Sequence, residues 1–158
     1  MRIREATAAD ADPMSDVLQE LVAAGKRTKP GDADFVRGHY IDHPQRLRCC
    51  VAADDSGIVL GFQSLKLAHE GNPYGTPAGW GIIGTHVRPS AARAGLGSRL
   101  FRATFEAALD AGLPAIEAYI GEENAAALAY YEALGFRTYR LAEGIVCKSL
   151  QIERSSAA

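Results

Sequence analysis

Three observations predict a mixed α/β domain. Runs with a period of two, rich in Val, Ile and aromatic residues, alternate along the chain with runs of helical period. Two pairs of strand-like runs are joined by Asp/Ser/Gly or Glu-Gly turns, which predicts antiparallel hairpins. Between Trp80 and Ile120 a strand, a glycine-bearing turn, a long helix and a second strand form a crossover unit, which predicts a parallel pair. With 158 residues, 47% of them apolar, the chain is expected to form one domain over 1–158, its last few residues disordered.

The elements follow in order. Ile3-Arg4-Glu5-Ala6 reads as a short strand, and Thr7 is placed to cap the helix after it. Val17, Leu18, Leu21 and Val22 recur at helical spacing until Gly25. A loop over 26–31 leads to a helix through Phe35, Val36 and Tyr40, which His43-Pro44 stops. Strands over Cys49–Ala53 and Ile58–Leu65 flank the turn Asp54-Asp55-Ser56-Gly57. The Gly- and Pro-rich stretch from Gly71 to Pro77 is irregular, either a connector or a loop on the acceptor side. After the strand Trp80–Val87, a helix from near Gly97 carries the apolar stripe Leu100, Thr104, Phe105 and Ala108, and Gly112-Leu113-Pro114 ends it. The strand Ala115–Ile120, a helix from Asn124 to Gly135, and a hairpin of Arg137–Leu141 with Ile145–Ile152 complete the chain.

Composition excludes several classes of function. Net charge is −2 with the two signs interspersed, so neither a nucleic acid nor a membrane surface is the expected partner. No apolar run approaches the roughly 18 residues of a membrane span, and the opening residues lack the apolar core of a signal peptide; a cytoplasmic location is expected. Cys49 and Cys50 are adjacent on a strand and point to opposite faces, leaving Cys147 over, so reduced structural thiols are expected. The four histidines show no metal-ligand spacing, and no metal is expected.

Two stretches carry chemistry. From Val87 the chain runs through Arg88-Pro89-Ser90-Ala91-Ala92-Arg93-Ala94-Gly95-Leu96-Gly97 into Ser98 and a helix. A strand end, a glycine turn and a helix start make a phosphate cradle, because the first turn of a helix leaves N–H groups unpartnered and glycines at 95 and 97 allow close approach. A P-loop would need Lys after Gly97, and a dinucleotide fingerprint would need Gly at Leu100. Four arginines, Arg88, Arg93, Arg99 and Arg102, surround this segment, and Arg93 lies within it, suited to phosphate oxygens. The second stretch, Asn124 to Phe136, places Asn124 and Tyr131 along one helical face about 10 Å apart. Phe136, after Gly135, can pack back on Tyr131 at the helix end.

Together these stretches resemble the GNAT superfamily of acetyl-CoA-dependent N-acetyltransferases. Its pyrophosphate loop, [QR]-x-x-G-x-[GA], corresponds to Ala92-Arg93-Ala94-Gly95-Leu96-Gly97, with Ala92 departing from Gln or Arg; its second signature, N-x-x-A-x-x-x-Y-x-x-x-G-F, is met by Asn124, Ala127, Tyr131, Gly135 and Phe136. The resemblance implies a central mixed, mostly antiparallel sheet of six to seven strands with a splayed parallel pair at its centre, flanked by about four helices. It also implies acetyl-CoA as cosubstrate, held by Val87, by residues 92–97 and Ser98, and by Asn124. The acceptor would be a small-molecule or peptide amine, attacking directly in a ternary complex, and a homodimer is a further expectation.

Such a reaction must deprotonate an ammonium, stabilise a developing oxyanion and protonate a thiolate. Tyr131 occupies the family's general-acid position, and a phenol with pKa near 10 is protonated at neutral pH. The strand before the loop has no glutamate, so the base candidates are His86 on that strand and Glu117 on the next, with ordered water as the alternative. Trp80, Tyr119 and Tyr130 are either acceptor-pocket or core residues. A non-catalytic acyl-CoA-binding or sensing module is the alternative function, and a purely structural partner domain is a third.

Overall fold

The computed structural model describes residues 1–91 and 95–152. Its elements are β1 (Arg2–Glu5), α1 (Ala11–Ala23), α2 (Ala33–Val36), β2 (Arg46–Ala53), β3 (Val59–Leu67), β4 (Gly81–Val87), α3 (Leu96–Asp110), β5 (Ala115–Gly121), α4 (Ala125–Ala133), β6 (Arg137–Ala142) and β7 (Ile145–Gln151). The cofactor contacts expected of Ala92, Arg93 and Ala94 lie outside the described residues, as does the expectation for the chain's last few positions.

The strands form one seven-stranded sheet in the order β1-β2-β3-β4-β5-β7-β6. Every neighbouring pair is antiparallel except β4–β5, the parallel pair produced by the crossover through α3. This is the mixed sheet the sequence predicts. None of the helices among the described residues is long and apolar enough to cross a membrane.

Local chemistry explains the connections. Thr7 caps a short turn over Ala8–Asp10 rather than α1 itself, and the Asp10 carboxylate accepts from the Thr7 N–H at 2.8 Å and from both terminal nitrogens of Arg4 at 2.8 and 2.9 Å. The β2–β3 turn closes on Asp54, whose Oδ1 accepts from the N–H groups of Ser56 and Ile58 at 2.9 Å each. The helix expected through Tyr40 is present in two parts: α2 ends at Val36 and continues directly as a π-helical segment over Arg37–Ile41, whose wider winding carries the buried Tyr40 and Ile41.

Helices cover both faces of the sheet. Cys49, Val51 and Phe62 pack with α1 and α2, whereas Cys50 and Ala52 pack with Leu96 and Leu100 of α3 on the other face. Farther along, Leu65, Ile83, Ile116 and Ala118 pack with Ala107 and Ala108 of α3 and with Tyr131 and Phe136 at α4. Cys49 and Cys50 thus face opposite ways, as expected, and all three cysteines are reduced and buried.

The sheet opens at its middle. Parallel pairing of β4 with β5 is confined to Gly81–Ile116, Ile82–Glu117 and Ile83–Ala118. Beyond it, β4 stays paired to β3 as far as Val87–Gly61, and β5 stays paired to β7 as far as Gly121–Ile145. Each strand follows its antiparallel neighbour, so the two diverge from Gly84 and Tyr119 onward.

Candidate active site

The divergence leaves one edge of β4, from Gly84 to Val87, without a strand partner while its other edge is held by β3. Unpaired strand N–H and C=O groups in mid-sheet invite an extended ligand to complete the ladder. The chain then leaves Val87 for the N-terminus of α3. Gly95 adopts φ +69° before the helix, a conformation that favours glycine, and among the described residues no side chain caps this end. By contrast, Asp32 caps α2 by accepting from the Phe35 N–H at 2.7 Å, and Asn124 caps α4 by accepting from the Ala127 N–H at 3.1 Å. With no acidic residue in its first turn either, the α3 terminus keeps its donors and the positive end of its dipole for an external anion. Leu96 anchors the turn in the core, and Ser98 is exposed beside it.

Gly97 is also required by packing within the protein. A Cβ there would stand 2.5 Å from Cε1 of Tyr130, so the missing side chain admits a protein ring. The Tyr130 hydroxyl donates to the Gly97 carbonyl at 2.7 Å and accepts from Gln63 Nε2 at 2.9 Å. Tyr130 therefore joins α4 to α3.

A directed chain of hydrogen bonds leads from that contact to Tyr131. Because Tyr130 spends its single proton on Gly97, the Gln63 atom facing it must be the amide nitrogen, and the second proton of that nitrogen goes to Thr85 Oγ1 at 2.9 Å. Thr85 Oγ1 in turn lies 2.8 Å from the Tyr131 hydroxyl. With one Thr85 lone pair filled by Gln63, its own proton can go to Tyr131, leaving the Tyr131 proton to point elsewhere. Thr85 belongs to the diverging part of β4, so this phenol sits at the opening. Tyr131 is only 5% exposed, and burial raises its pKa well above the ordinary phenol value, keeping it protonated. The helix end is built as expected: Phe136 N–H reaches the Tyr131 carbonyl at 3.0 Å, Gly135 N–H reaches that of Glu132 at 3.0 Å, and the Phe136 and Tyr131 rings pack at 5.2 Å.

Asn124 and Tyr131 part company. Asn124 is exposed and uses its Oδ1 as the cap of α4, which leaves its amide nitrogen as the group able to meet a ligand.

The opposite face of the same opening carries His86. Strand alternation points Thr85 toward α4 and His86 toward α1 and α2, where its ring packs on Phe62 at 4.9 Å and its Nε2 lies 3.0 Å from the Tyr40 hydroxyl. The imidazole folds back over Gly84, with Nε2 3.6 Å from where a Cβ would be. Burial, reinforced by the positive charges of Arg27, Lys29 and Lys66 and by neighbouring His39, pushes its pKa down to about 3. Burial and the same kind of neighbours bring His39 to about 4, and burial brings Lys66 to about 8. This corner of the molecule disfavours positive charge.

Glu117 lies on that face too, but it is sealed. It is 0% exposed, and its oxygens accept from Thr76 Oγ1 at 2.9 Å, from Arg140 at 3.1 and 3.2 Å and from the Tyr139 hydroxyl. A break in the β6–β7 register at Tyr139 lets this residue and its neighbour Arg140 both turn toward Glu117. Arg140 also holds the Tyr74 carbonyl at 2.9 Å, and Asn72 gathers the His69, Tyr74 and Thr76 backbone, so the 69–79 connector is tied to the sheet. Glu117 has no lone pair turned toward an incoming amine.

Two of the four arginines are engaged within the protein. Arg88 pairs with Glu20 at 3.0 Å and donates to the Val59 carbonyl, and Arg99 donates to the Met1 carbonyl. Gln63, Thr85, Tyr40 and Lys66 were not singled out by the sequence. Their common signal is polarity in strands and turns that otherwise read as buried.

The fold as a whole superposes on N-acetyltransferases of known structure. The GCN5-related N-acetyltransferase from Kribbella flavida superposes with a TM-score of 0.78 over 96% of this chain and 97% of its own, at 23% identity. The PaiA N-acetyltransferase of Thermoplasma acidophilum, solved in complex with coenzyme A, gives 0.74 over 96% and 98% at 16% identity. The ribosomal-protein-S18-alanine N-acetyltransferase of Escherichia coli gives 0.74 over 99% and 96% at 17% identity. In sequence, the chain is 31% identical over 111 residues to the mycothiol acetyltransferase of Kocuria rhizophila, covering 70% of this chain but 36% of that protein. The chain thus spans about a third of the length of that relative. The profile of the acetyltransferase (GNAT) family matches residues 14–136, and the chain belongs to this family.

Proposed function

We propose that the protein transfers the acetyl group of acetyl-CoA to a primary amine by direct attack within a ternary complex. The observation that carries this reading is the opening between β4 and β5, with a buried protonated phenol on one side and an unpaired strand edge leading to an uncapped helix terminus on the other. In this reading the backbone N–H groups at the start of α3, around Gly95, Leu96, Gly97 and Ser98, hold the pyrophosphate. The edge of β4 near Val87 pairs with the extended arm of the cofactor, and the Asn124 amide nitrogen donates to it. The thioester supplies an activated acyl group; the residues of the chain align it and manage charge.

Tyr131 donates its proton toward the departing sulfur, oriented by Thr85 and Gln63. A β4 backbone N–H at the opening stabilises the charge that develops on the acyl oxygen. Neither Glu117, enclosed by its donors, nor His86, held neutral, is matched to taking a proton from an ammonium. The environment does that work: the burial and positive field that neutralise His39 and His86 act equally on an acceptor ammonium, so the free amine is the form that reaches the thioester.

The test is thiol release from acetyl-CoA on a panel of primary amines, with Tyr131→Phe as the variant. Loss of the proton donor is expected to lower kcat by about 10²–10⁴-fold; full turnover by Tyr131→Phe refutes the assigned role. The sealed Glu117 also favours a second reading, a module that binds acyl-CoA without turnover, and binding with no thiol release on the panel would establish it.

A further inference from the structure

We propose that Lys66 anchors a carboxylate on the acceptor, so that the substrate is a small primary amine that also carries a carboxyl group, as a free amino acid does. This rests on the transfer activity proposed above and names its acceptor class.

The buried lysines among the described residues are Lys66, 6% exposed, and Lys148, 8% exposed. Lys148 is paired: its Nζ lies 2.6 Å from Glu132 Oε2 and 3.0 Å from Thr138 Oγ1. Lys66 has no carboxylate within ion-pair distance among the described residues. Its Nζ donates to the His39 carbonyl at 3.2 Å, lies 3.4 Å from His39 Nε2, and stands over the Tyr40 ring at 5.6 Å. A buried ammonium held only by neutral groups is costly, and such charges ordinarily have an anionic partner. The charged groups acting on neighbouring His39 include no acid: besides Lys66 itself they are the cations Arg27 and Lys29 and the imidazole of His43. The local field therefore selects an anion.

Position makes that anion part of an acceptor. In the β3–β4 register Lys66 lies opposite Ile82, and Ser64 lies opposite Gly84, where β4 leaves β5. Lys66 and Ser64 are two residues apart and share a face, about 7 Å along the strand. Ser64 Oγ is buried without a hydrogen-bond partner, a second polar atom on the same surface. Tyr40 links the ends of this surface, since its ring meets Lys66 and its hydroxyl meets His86 above Gly84. The carboxylate meets Lys66, and the amine faces the gap where Tyr131 waits on the far side.

Two measurements test this. Acetylation is measured on free l-amino acids beside their primary amides, with native protein and with Lys66→Met. The native protein is expected to favour the carboxylates by about tenfold or more in kcat/KM, as befits one charge-assisted hydrogen bond, and Lys66→Met to abolish that ratio through KM. Lys66→Arg, which keeps the charge, is expected to retain part of it. Separately, calorimetry on protein loaded with coenzyme A follows binding of N-acetyl amino acids and their amides, which requires no turnover. Tighter binding of the acid than of the amide, lost in Lys66→Met, supports the assignment even if no acceptor is acetylated, in which case only the transfer reading fails. Equal use and equal binding of acids and amides, or an unchanged ratio in Lys66→Met, overturns the carboxylate anchor while leaving transfer to neutral amines intact.

Discussion

Replacing Gly97 with alanine separates two accounts of the glycine turn, because they predict opposite signs. If Gly97 serves only to let a ligand approach, Gly97→Ala raises stability by roughly 0.5–1 kcal/mol, the usual gain of alanine over glycine inside a helix. The structure predicts a loss. The new Cβ would stand 2.5, 3.1 and 3.3 Å from Cε1, Cζ and Cδ1 of Tyr130, and the ring cannot swing away cheaply because its hydroxyl is fixed by the Gly97 carbonyl and Gln63. Overpacking of this kind costs about 1–3 kcal/mol, and breaking the hydroxyl contact adds about 0.5–1.5 kcal/mol. After the helical gain is subtracted, a net loss of roughly 0.5–4 kcal/mol remains, or about 1–16 °C in the midpoint of a domain this size. Thermal and urea unfolding of Gly97→Ala, Tyr130→Leu and the double variant measure it. The double variant is expected to be more stable than the sum of the two single losses by about 1–3 kcal/mol, because leucine vacates the space the methyl needs. A midpoint raised by Gly97→Ala, or strictly additive losses, refutes the reasoning.

Two further outcomes concern protons. His39 and His86 are held at about 4 and about 3, against an unfolded value near 6.5. Below pH 6.5 the unfolded chain takes up protons that the folded chain refuses, so stability is full above that pH and falls as pH drops toward the folded values, by roughly 2 kcal/mol per histidine at pH 5. Urea unfolding at pH 7.5 and pH 5 should show this, and His39→Gln should flatten the difference; equal stabilities at the two values would contradict it. In the transfer reaction, kcat/KM should rise with pH along the titration of the acceptor's own amine and shift when an acceptor of different basicity is used. An inflection that stays fixed across acceptors would instead reveal an enzymic base.

Much of the architecture was legible because its signals are local. Gly135 and Phe136 closed α4 as their spacing predicted, and the run from Trp80 to Ile120 produced the crossover that leaves β4 and β5 parallel. Contacts that cross the sheet were not legible. Glu117 looked like a free carboxylate because Thr76, Tyr139 and Arg140 come from a loop and from a strand on the far side of β7, joined only once the strand order is known. The Tyr130 contact of Gly97 was not legible because the two residues lie 33 positions apart. Lys66 escaped notice because β3 is covered on both faces, so its alternation does not announce which side is filled.

In the proposed reading the two base candidates are unsuited to that role for opposite physical reasons, and together they explain the design of this face. Glu117 is a buried anion that must be surrounded by donors, and satisfying it ties the 69–79 connector to β5 and β6. Its charge is consumed in holding the wall of the opening. His86 is a base kept from protonation by burial and by the cations around it, so its lone pair remains but its basicity does not. The positive field that disables His86 would be a defect if the enzyme needed a general base there. It becomes useful if the acceptor itself must lose a proton, since a cationic amine entering beside Lys66 meets the same opposition. A carboxylate on the acceptor resolves the conflict, because it gives Lys66 its missing partner and draws the molecule in by the end that the field attracts. The amine end, which the field repels as an ammonium, is then presented in its neutral, nucleophilic form. One buried cation without a counter-ion thus accounts both for how an acceptor would be recognised and for how it would be activated.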